Sequence, residues 1–477
     1  MTNSTSADQL PVAVIGAGPV GLAAAAHLAE RGRDFVVLEA GPGPAASVAE
    51  WGHVRMFSPW RYDIDAAARR LLEYAGWEAL DPDLLPTGGE FIEAYLAPLA
   101  ELPAIAPHIR YGARVSAVGR LGLDRLRTNG RSDTPFVLRL ADGREVLASA
   151  VIDASGTWST PNVLGANGLP AHGEADLAEV IEPALPDVLG ADRDRFVGVR
   201  TLVVGAGHSA ANTLLSLAEL AEREPGTQVW WAIRAVSAAR AYGGGDADAL
   251  PARGALGTRL RAHVEAGRIN LLTGFAIRRL SRAEDGSAVR VSGTDATGGE
   301  RSVTVERIVS ATGFRPDHTI TGELRLDLDP IMEAPRALAP LIDPNQHACG
   351  TVPPHGVDEL SHPEPGFYTV GMKSYGRAPT FLMATGYEQV RSIVAALVGD
   401  WEAARDVRLE LPETGVCSSD LAFGDDTAAA DSCCGPTPAT ETAGRGLATG
   451  VAGLTLPLVT TSGSGNTVAG TTGGCCG

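Results

Sequence analysis

Residues 11–32 read PVAVIGAGPVGLAAAAHLAERG. An apolar run from Val12 to Ile15 meets Gly16. Gly18 and Gly21 then complete the spacing G-x-G-x-x-G, and an Ala-rich stretch runs on to Gly32. The pattern predicts a buried strand, a tight turn, and a helix whose first N–H groups face an anion. The three glycines serve different ends. Gly16 permits the turn, Gly18 lets the backbone approach a pyrophosphate, and Gly21 lets the helix pack on the strand. Pro19 and Val20 sit inside the turn and are expected beside the same ligand. DFVVLEA (34–40) reads as the next strand. Glu39 stands at its end, where an acidic residue hydrogen-bonds a ribose.

The pattern returns at 199–220, VRTLVVGAGHSAANTLLSLAEL, with Gly205, Gly207 and Ala210. His208 and Ser209 open the helix that follows, and His208 reads as a polar helix-start residue near phosphates. The second strand of this unit, QVWWAIR (228–234), ends in Arg234 rather than an acid. An acid there suits the 2′-hydroxyl of NAD, whereas an arginine pairs with the 2′-phosphate of NADP. Two seats imply two dinucleotides: a tightly held flavin and an exchanging nicotinamide, NADPH, that meet to pass a hydride.

Between and after these units the chain alternates in type. Helices are expected at 63–76 and 90–102. A small three-stranded meander is expected over 114–155, with a hairpin at Asp142-Gly143. IDASGTWSTP (152–161) and IVSATGFRPD (308–317) are alike. Each is an apolar strand closing on small residues, Ser155-Gly156 and Thr312-Gly313, that let the chain turn close to a cofactor. They flank the second unit, as an insertion into the first domain requires, and the second of them returns the chain to that domain. Residues 241–256 read as a Gly/Ala-rich loop, 366–371 as a strand and 380–399 as a helix weakened by Gly386. The aromatic and basic stretch 51–61 and the segment 373–380 are expected to border the flavin, with Trp60, Arg61, Tyr375 and Arg377 as candidates to face substrate. Trp60 and Val115 are further candidate cofactor contacts.

The formal net charge of −18 argues against nucleic-acid binding. The polar start, MTNSTSADQL, has no basic residue ahead of an apolar run, which disfavours a secretory signal. The apolar stretch 12–29 carries three glycines, Pro19 and His27, and so fits a buried strand and helix better than a membrane span. A cytoplasmic address is expected. After about residue 405 the composition turns to Gly, Ser, Thr, Ala and Pro, which predicts a flexible tail. That tail holds Cys417, the adjacent pair Cys433 and Cys434, and the final pair Cys475 and Cys476. Adjacent thiols suit a soft ion such as As(III), Hg(II) or Cu(I).

GAGPVG with Glu39, GAGHSA, and ATGFRPD together resemble the two-dinucleotide-binding flavoproteins, and within them the branch related to flavin-containing monooxygenases. The cysteine-bearing tail makes the chain similar to the flavin-binding monooxygenases of bacterial arsenic-resistance operons, and its Cys-Cys-Gly end looks like that of mercuric reductases. The resemblance covers about residues 11–400. It implies an α/β chain: a three-layer, Rossmann-like FAD-binding domain (1–160 and 310–405), an inserted NADPH-binding Rossmann-like domain (161–309), and the tail (406–477). By carry-over Gly16, Gly18, Gly21 and Glu39 hold FAD. Gly205, Gly207, Ser209 and Arg234 hold NADPH, and Gly371 and Met372 meet the flavin and ribityl chain. The implied activity is NADPH-driven oxygenation, by O₂, of a soft nucleophile such as a thiol or trivalent arsenical.

Two departures stand out. The monooxygenase motif F-x-G-x-x-x-H-x-x-x-aromatic has its nearest match at Ala166, Gly168, His172 and Asp176, without either aromatic end. No C-x-x-C exists for classical disulfide reduction. Two alternatives stay open: a thiol or metal(loid) reductase that passes electrons to Cys475/Cys476, and a metalloid-binding protein on a flavoprotein scaffold. No acid–base residue is singled out as catalytic, and neither substrate nor oligomeric state is legible.

Overall fold

The structure, a computed structural model, describes residues 10–409 apart from 246, 247, 249, 285, 345–351, 379 and 380. All six cysteines lie outside the described residues, among them the soft-ion candidates Cys417, Cys433, Cys434, Cys475 and Cys476.

The first part of the chain supplies β1 (Val12–Ile15), β2 (Phe35–Leu38), β3 (Ile109–Arg110), β4 (Val115–Arg120), β5 (Phe136–Leu140), β6 (Glu145–Ala148) and β7 (Ala150–Asp153). The middle supplies β8 (Ile181–Glu182), β9 (Arg200–Val204), β10 (Gln228–Ala232), β11 (Ile269–Leu272), β12 (Ala276–Arg282), β13 (Val289–Thr294), β14 (Glu300–Val305) and β15 (Arg307–Ser310). β16 (Phe367–Thr369) comes last. β1, β2 and β7 are buried along their whole length, as continuous apolar runs in a two-sided parallel sheet must be. They join β3 and β16 in one parallel sheet ordered β16-β7-β1-β2-β3. The second parallel sheet is ordered β11-β10-β9-β15-β8. Each carries an antiparallel meander, β4-β5-β6 and β12-β13-β14. The hairpin read at Asp142-Gly143 is present: Gly143 has φ +87°, and the Asp142 carboxylate accepts the Arg144 N–H.

Helix α1 (Pro19–Glu30) lies against the helix Met383–Leu397 and against Ala66–Tyr74. Gly386 fits this packing, since a Cβ there would stand 2.6 Å from Val20 and 2.8 Å from Phe381. The helix read at 90–102 begins at a Thr87–Glu90 capping box and contains a π-helical turn, Ile92–Leu96.

Two expectations are corrected. Residues 251–265 form a helix, Pro251–Glu265, not the end of a loop. A Cβ on Gly254 or Gly257 would overlap the carbonyl of Gly245 or Tyr242. These glycines permit close approach rather than break structure. The segment 308–317 does not return directly to the first sheet, because β15 pairs with β9 inside the second and the return follows Ser310.

The two similar crossover segments are laced together. Thr312 Oγ1 donates to Asn162 O (2.6 Å), Asn162 N to Gly313 O (2.9 Å) and Arg315 N to Thr160 O (3.1 Å). Trp158 and Phe314 pack ring to ring at 4.8 Å.

Candidate cofactor and substrate site

A cavity of about 1460 Å³ lies beyond the carboxyl ends of β1, β2, β7 and β16, where open parallel sheets place their ligands. Its wall includes Gly16, Gly18, Pro19, Val20, Glu39, Val115, Ser155, Gly156, Gly371 and Met372. The structure thus brings ten of the candidate residues to one space.

The first turn fits a pyrophosphate in detail. Gly16 has φ +98°, and a Cβ there would sit 2.8 Å from Ala154 O. A Cβ on Gly21 would overlap the Gly16 carbonyl, so Gly21 serves packing and does not line the cavity. Gly18 has nothing within 4 Å of its Cβ position, so its backbone faces open space at the start of α1, where free N–H groups and the helix dipole favour an anion. Glu39 is tied locally: its carboxylate accepts Ala17 N at 2.6 Å and Gly41 N at 2.7 Å. It braces the turn while still facing the cavity.

The far wall is set by a buried amide. Gln389 Oε1 accepts Gly371 N (2.8 Å), and its Nε2 contacts Ser374 Oγ (2.9 Å) and His355 Nε2 (3.0 Å). With the Nδ1 of His355 donating to Pro353 O (3.1 Å), Nε2 is left as the acceptor. Burial pushes the His355 imidazole below its ordinary pKa and favours this neutral tautomer.

A group that sequence reasoning missed stands beside Gly371. Lys373 Nζ donates to Asp153 Oδ2 (2.7 Å) and Ser155 Oγ (3.1 Å), and Ser155 Oγ donates to Asp153 Oδ1 (2.6 Å). Lys373 and Asp153 are both buried, and Lys373 lines the cavity. A signal was present: Lys373 is the one lysine in the whole sequence. Trp158, Phe314, Phe381 and Met383 add apolar wall, and Trp158 Nε1 donates to Glu50 (2.7 Å).

Trp60 is a correction. Its side chain is buried in the core against Phe91, not on the cavity wall. A four-residue helical turn, Trp60–Asp63, points it inward. Arg61, Tyr375 and Arg377 do not line the cavity either. Arg61 pairs with Asp83 and Arg377 with Glu333, while Tyr375 is buried between His355 and Phe381.

The second turn stands apart from this cavity. None of Gly205, Gly207, His208, Ser209, Arg234, Thr312 and Gly313 lines it. Gly205 has φ +135°, and a Cβ there would overlap the Ala311 carbonyl, while Gly207 is open. His208 and Ser209 begin the helix His208–Arg223. The exposed His208 ring packs on Phe57, from the 51–61 stretch, at 4.9 Å. Arg234, also exposed, donates to Ala166 O at 3.0 Å, which places the Ala166–Gly168 stretch beside the second unit. His172 bridges Arg279 at the start of the second meander, and Asp176 sits in a short 3₁₀ turn. Thr312 and Gly313 belong to the laced crossover.

Among the described residues no group of three or more His, Cys, Asp or Glu is placed to hold a metal ion, and no helix is long and apolar enough to cross a membrane.

Residues 11–127 match the family of FAD-dependent oxidoreductases (DAO). The fold is similar to that of bacillithiol disulfide reductase Bdr (YpdA) from Bacillus cereus, with TM-score 0.58, 16% identity, and 83% of this chain and 99% of that one covered. It is equally similar to DfoA bound to FAD, the cadaverine monooxygenase of desferrioxamine biosynthesis from Erwinia amylovora, with TM-score 0.58, 15% identity, and 90% and 100% covered. A flavin-containing monooxygenase from Stenotrophomonas maltophilia gives TM-score 0.52 at 21% identity, with 82% and 98% covered. No curated protein matches the sequence significantly. The match over residues 11–127 and the likeness to these solved structures agree on an FAD-binding Rossmann-like fold.

Proposed function

We propose that this protein is an FAD- and NADPH-dependent monooxygenase acting on a soft nucleophile, a thiol or a trivalent arsenical, in the cytoplasm. The observation that carries the reading is the continuity of the large cavity. It runs from the Gly16–Gly18 turn past Met372 and Lys373 to Phe314, Ile181 and Ala184 beside the second unit, which leaves space for a second ring next to the cofactor. FAD, when bound, supplies hydride acceptance and oxygen chemistry. The protein's own residues do the rest. Gly18 and the start of α1 take the pyrophosphate. Gln389 fixes the backbone at Gly371, and Arg234 meets the 2′-phosphate of NADPH. Trp158, Phe314, Phe381 and Met383 keep water from the reacting face.

The test is stopped-flow absorbance of the NADPH-reduced protein mixed with O₂, with and without a thiol or arsenite. The reading expects an oxygenated product and little H₂O₂. Stoichiometric H₂O₂ whatever the substrate counts against it.

A second reading, an NADPH-dependent thiol or metal(loid) reductase, is favoured by the two adjacent cysteine pairs in the sequence. Removing residues 412–477 separates the two. Loss of turnover with a disulfide or metal acceptor supports the reductase, and unchanged turnover removes it.

A further inference from the structure

Of the chain's 39 lysines and arginines only residue 373 is a lysine. Arginine serves every other basic position, including the most enclosed ones. Arg131, for example, is buried and spends its guanidinium on Glu364, Asp124 O and Glu323 O. A buried arginine therefore occurs here where three or four of its five donors are used, as at Arg120 and Arg131. At 373 the surroundings offer two acceptors, Asp153 Oδ2 and Ser155 Oγ. Ser155 Oγ–H is itself committed to Asp153 Oδ1, which locks the three groups in a closed triangle. An ammonium has three donors, so one remains for the cavity that Lys373 lines. An arginine would leave three.

Charge points the same way. FAD is anionic, and Asp153 is fully buried behind the part of the cavity wall that Ala154, Ser155 and Lys373 form. Alone it would repel the cofactor, and an unpaired buried carboxylate is costly in its own right. Lys373 cancels that charge and adds a donor.

We propose that Lys373 is a cofactor-binding residue whose ammonium donates to an anionic oxygen of bound FAD, on the pyrophosphate or on the reduced ring. This rests on the FAD reading above. The Asp153–Ser155 pair positions the ammonium.

The test is FAD titration onto apoprotein, followed by flavin fluorescence, with the flavin midpoint potential measured on the loaded protein. Lys373→Met keeps the length of the side chain and removes the charge. A ten- to hundredfold rise in the FAD dissociation constant with unchanged potential, kept in Lys373→Met/Asp153→Asn where no bare carboxylate remains, places the contact at the pyrophosphate. A potential lowered by about 30–60 mV, the same tenfold to hundredfold range for two electrons, places it at the ring. Both values unchanged in a folded Lys373→Met protein overturn the proposal. If that variant does not fold, the double variant Lys373→Met/Asp153→Asn removes both charges and is read the same way. Wild-type protein that takes up no FAD overturns the functional reading and this inference together, whereas normal wild-type binding with indifferent variants overturns the inference alone.

Discussion

Replacing Gly18 by alanine separates ligand binding from folding. Gly18 caps α1 with φ −75° and ψ −177°, a conformation open to any residue, and its Cβ position has nothing within 4 Å. The stability cost is therefore only the poorer capping of alanine relative to glycine, about 0.5–1 kcal/mol. Unfolding entropy of about 2.1 cal/mol/K per residue, over roughly 400 ordered residues, gives about 0.8 kcal/mol per degree. Gly18→Ala should thus lower Tm by about 1 °C. The same methyl group stands where the pyrophosphate has to approach the backbone, so FAD affinity should fall about 10–100-fold, or about 1.4–2.8 kcal/mol. Gly21→Ala is the opposite case. Its methyl overlaps the Gly16 carbonyl and damages the fold by about 3 kcal/mol or more, lowering Tm by about 4 °C. Thermal unfolding of apoprotein and FAD titration followed by fluorescence read both quantities. A Gly18→Ala protein that binds FAD within twofold of wild type would refute the assignment of this turn.

Glu364 is fully buried and accepts from Arg120 Nε (2.8 Å), Arg131 Nη2 (2.7 Å) and Arg325 N (3.0 Å), so Glu364→Gln should cost about 3–5 kcal/mol, about 4–6 °C in Tm. Burial pushes its carboxyl up, but the two guanidiniums hold it lower on balance; the stability they lend is present above the ordinary Glu range and lost as pH falls through the depressed value, which an acid titration of unfolding reads. Asp63 is the reverse: burial pushes it up to about 8 against the opposing Ser58 hydroxyl, and its Oδ2 has no partner among the described residues. The folded state holds this proton between about pH 4 and 8 while the unfolded state releases it, so the group makes stability decline with pH across that window. Asp63→Asn should flatten the decline and raise Tm at pH 8.5 more than at pH 5. Arg234→Ala should raise KM for NADPH about tenfold and leave NADH turnover unchanged; equal effects on both would remove Arg234 from the 2′-phosphate.

The sheets were legible because their signal is local. VAVI, FVVL and AVID are unbroken apolar runs, and the turns after the first and the third carry glycines with positive φ, Gly16 and Gly156. The helix Pro251–Glu265 was not legible, because Gly254 and Gly257 look like breakers until the chain they pack against is known. Trp60 was misplaced for a related reason: an aromatic residue between Pro59 and Arg61 gives no sign of which way a four-residue helical turn will point it. The Lys373–Asp153 pair joins residues 220 positions apart, beyond the reach of any spacing rule.

Because the chain has a single side-chain amine and the fold encloses it, amine-directed reagents acquire an unusual use. Acylation at position 373 requires the cavity wall to open, so its rate, read by mass spectrometry without any engineered probe, is a clock for local opening of the region proposed to hold the flavin.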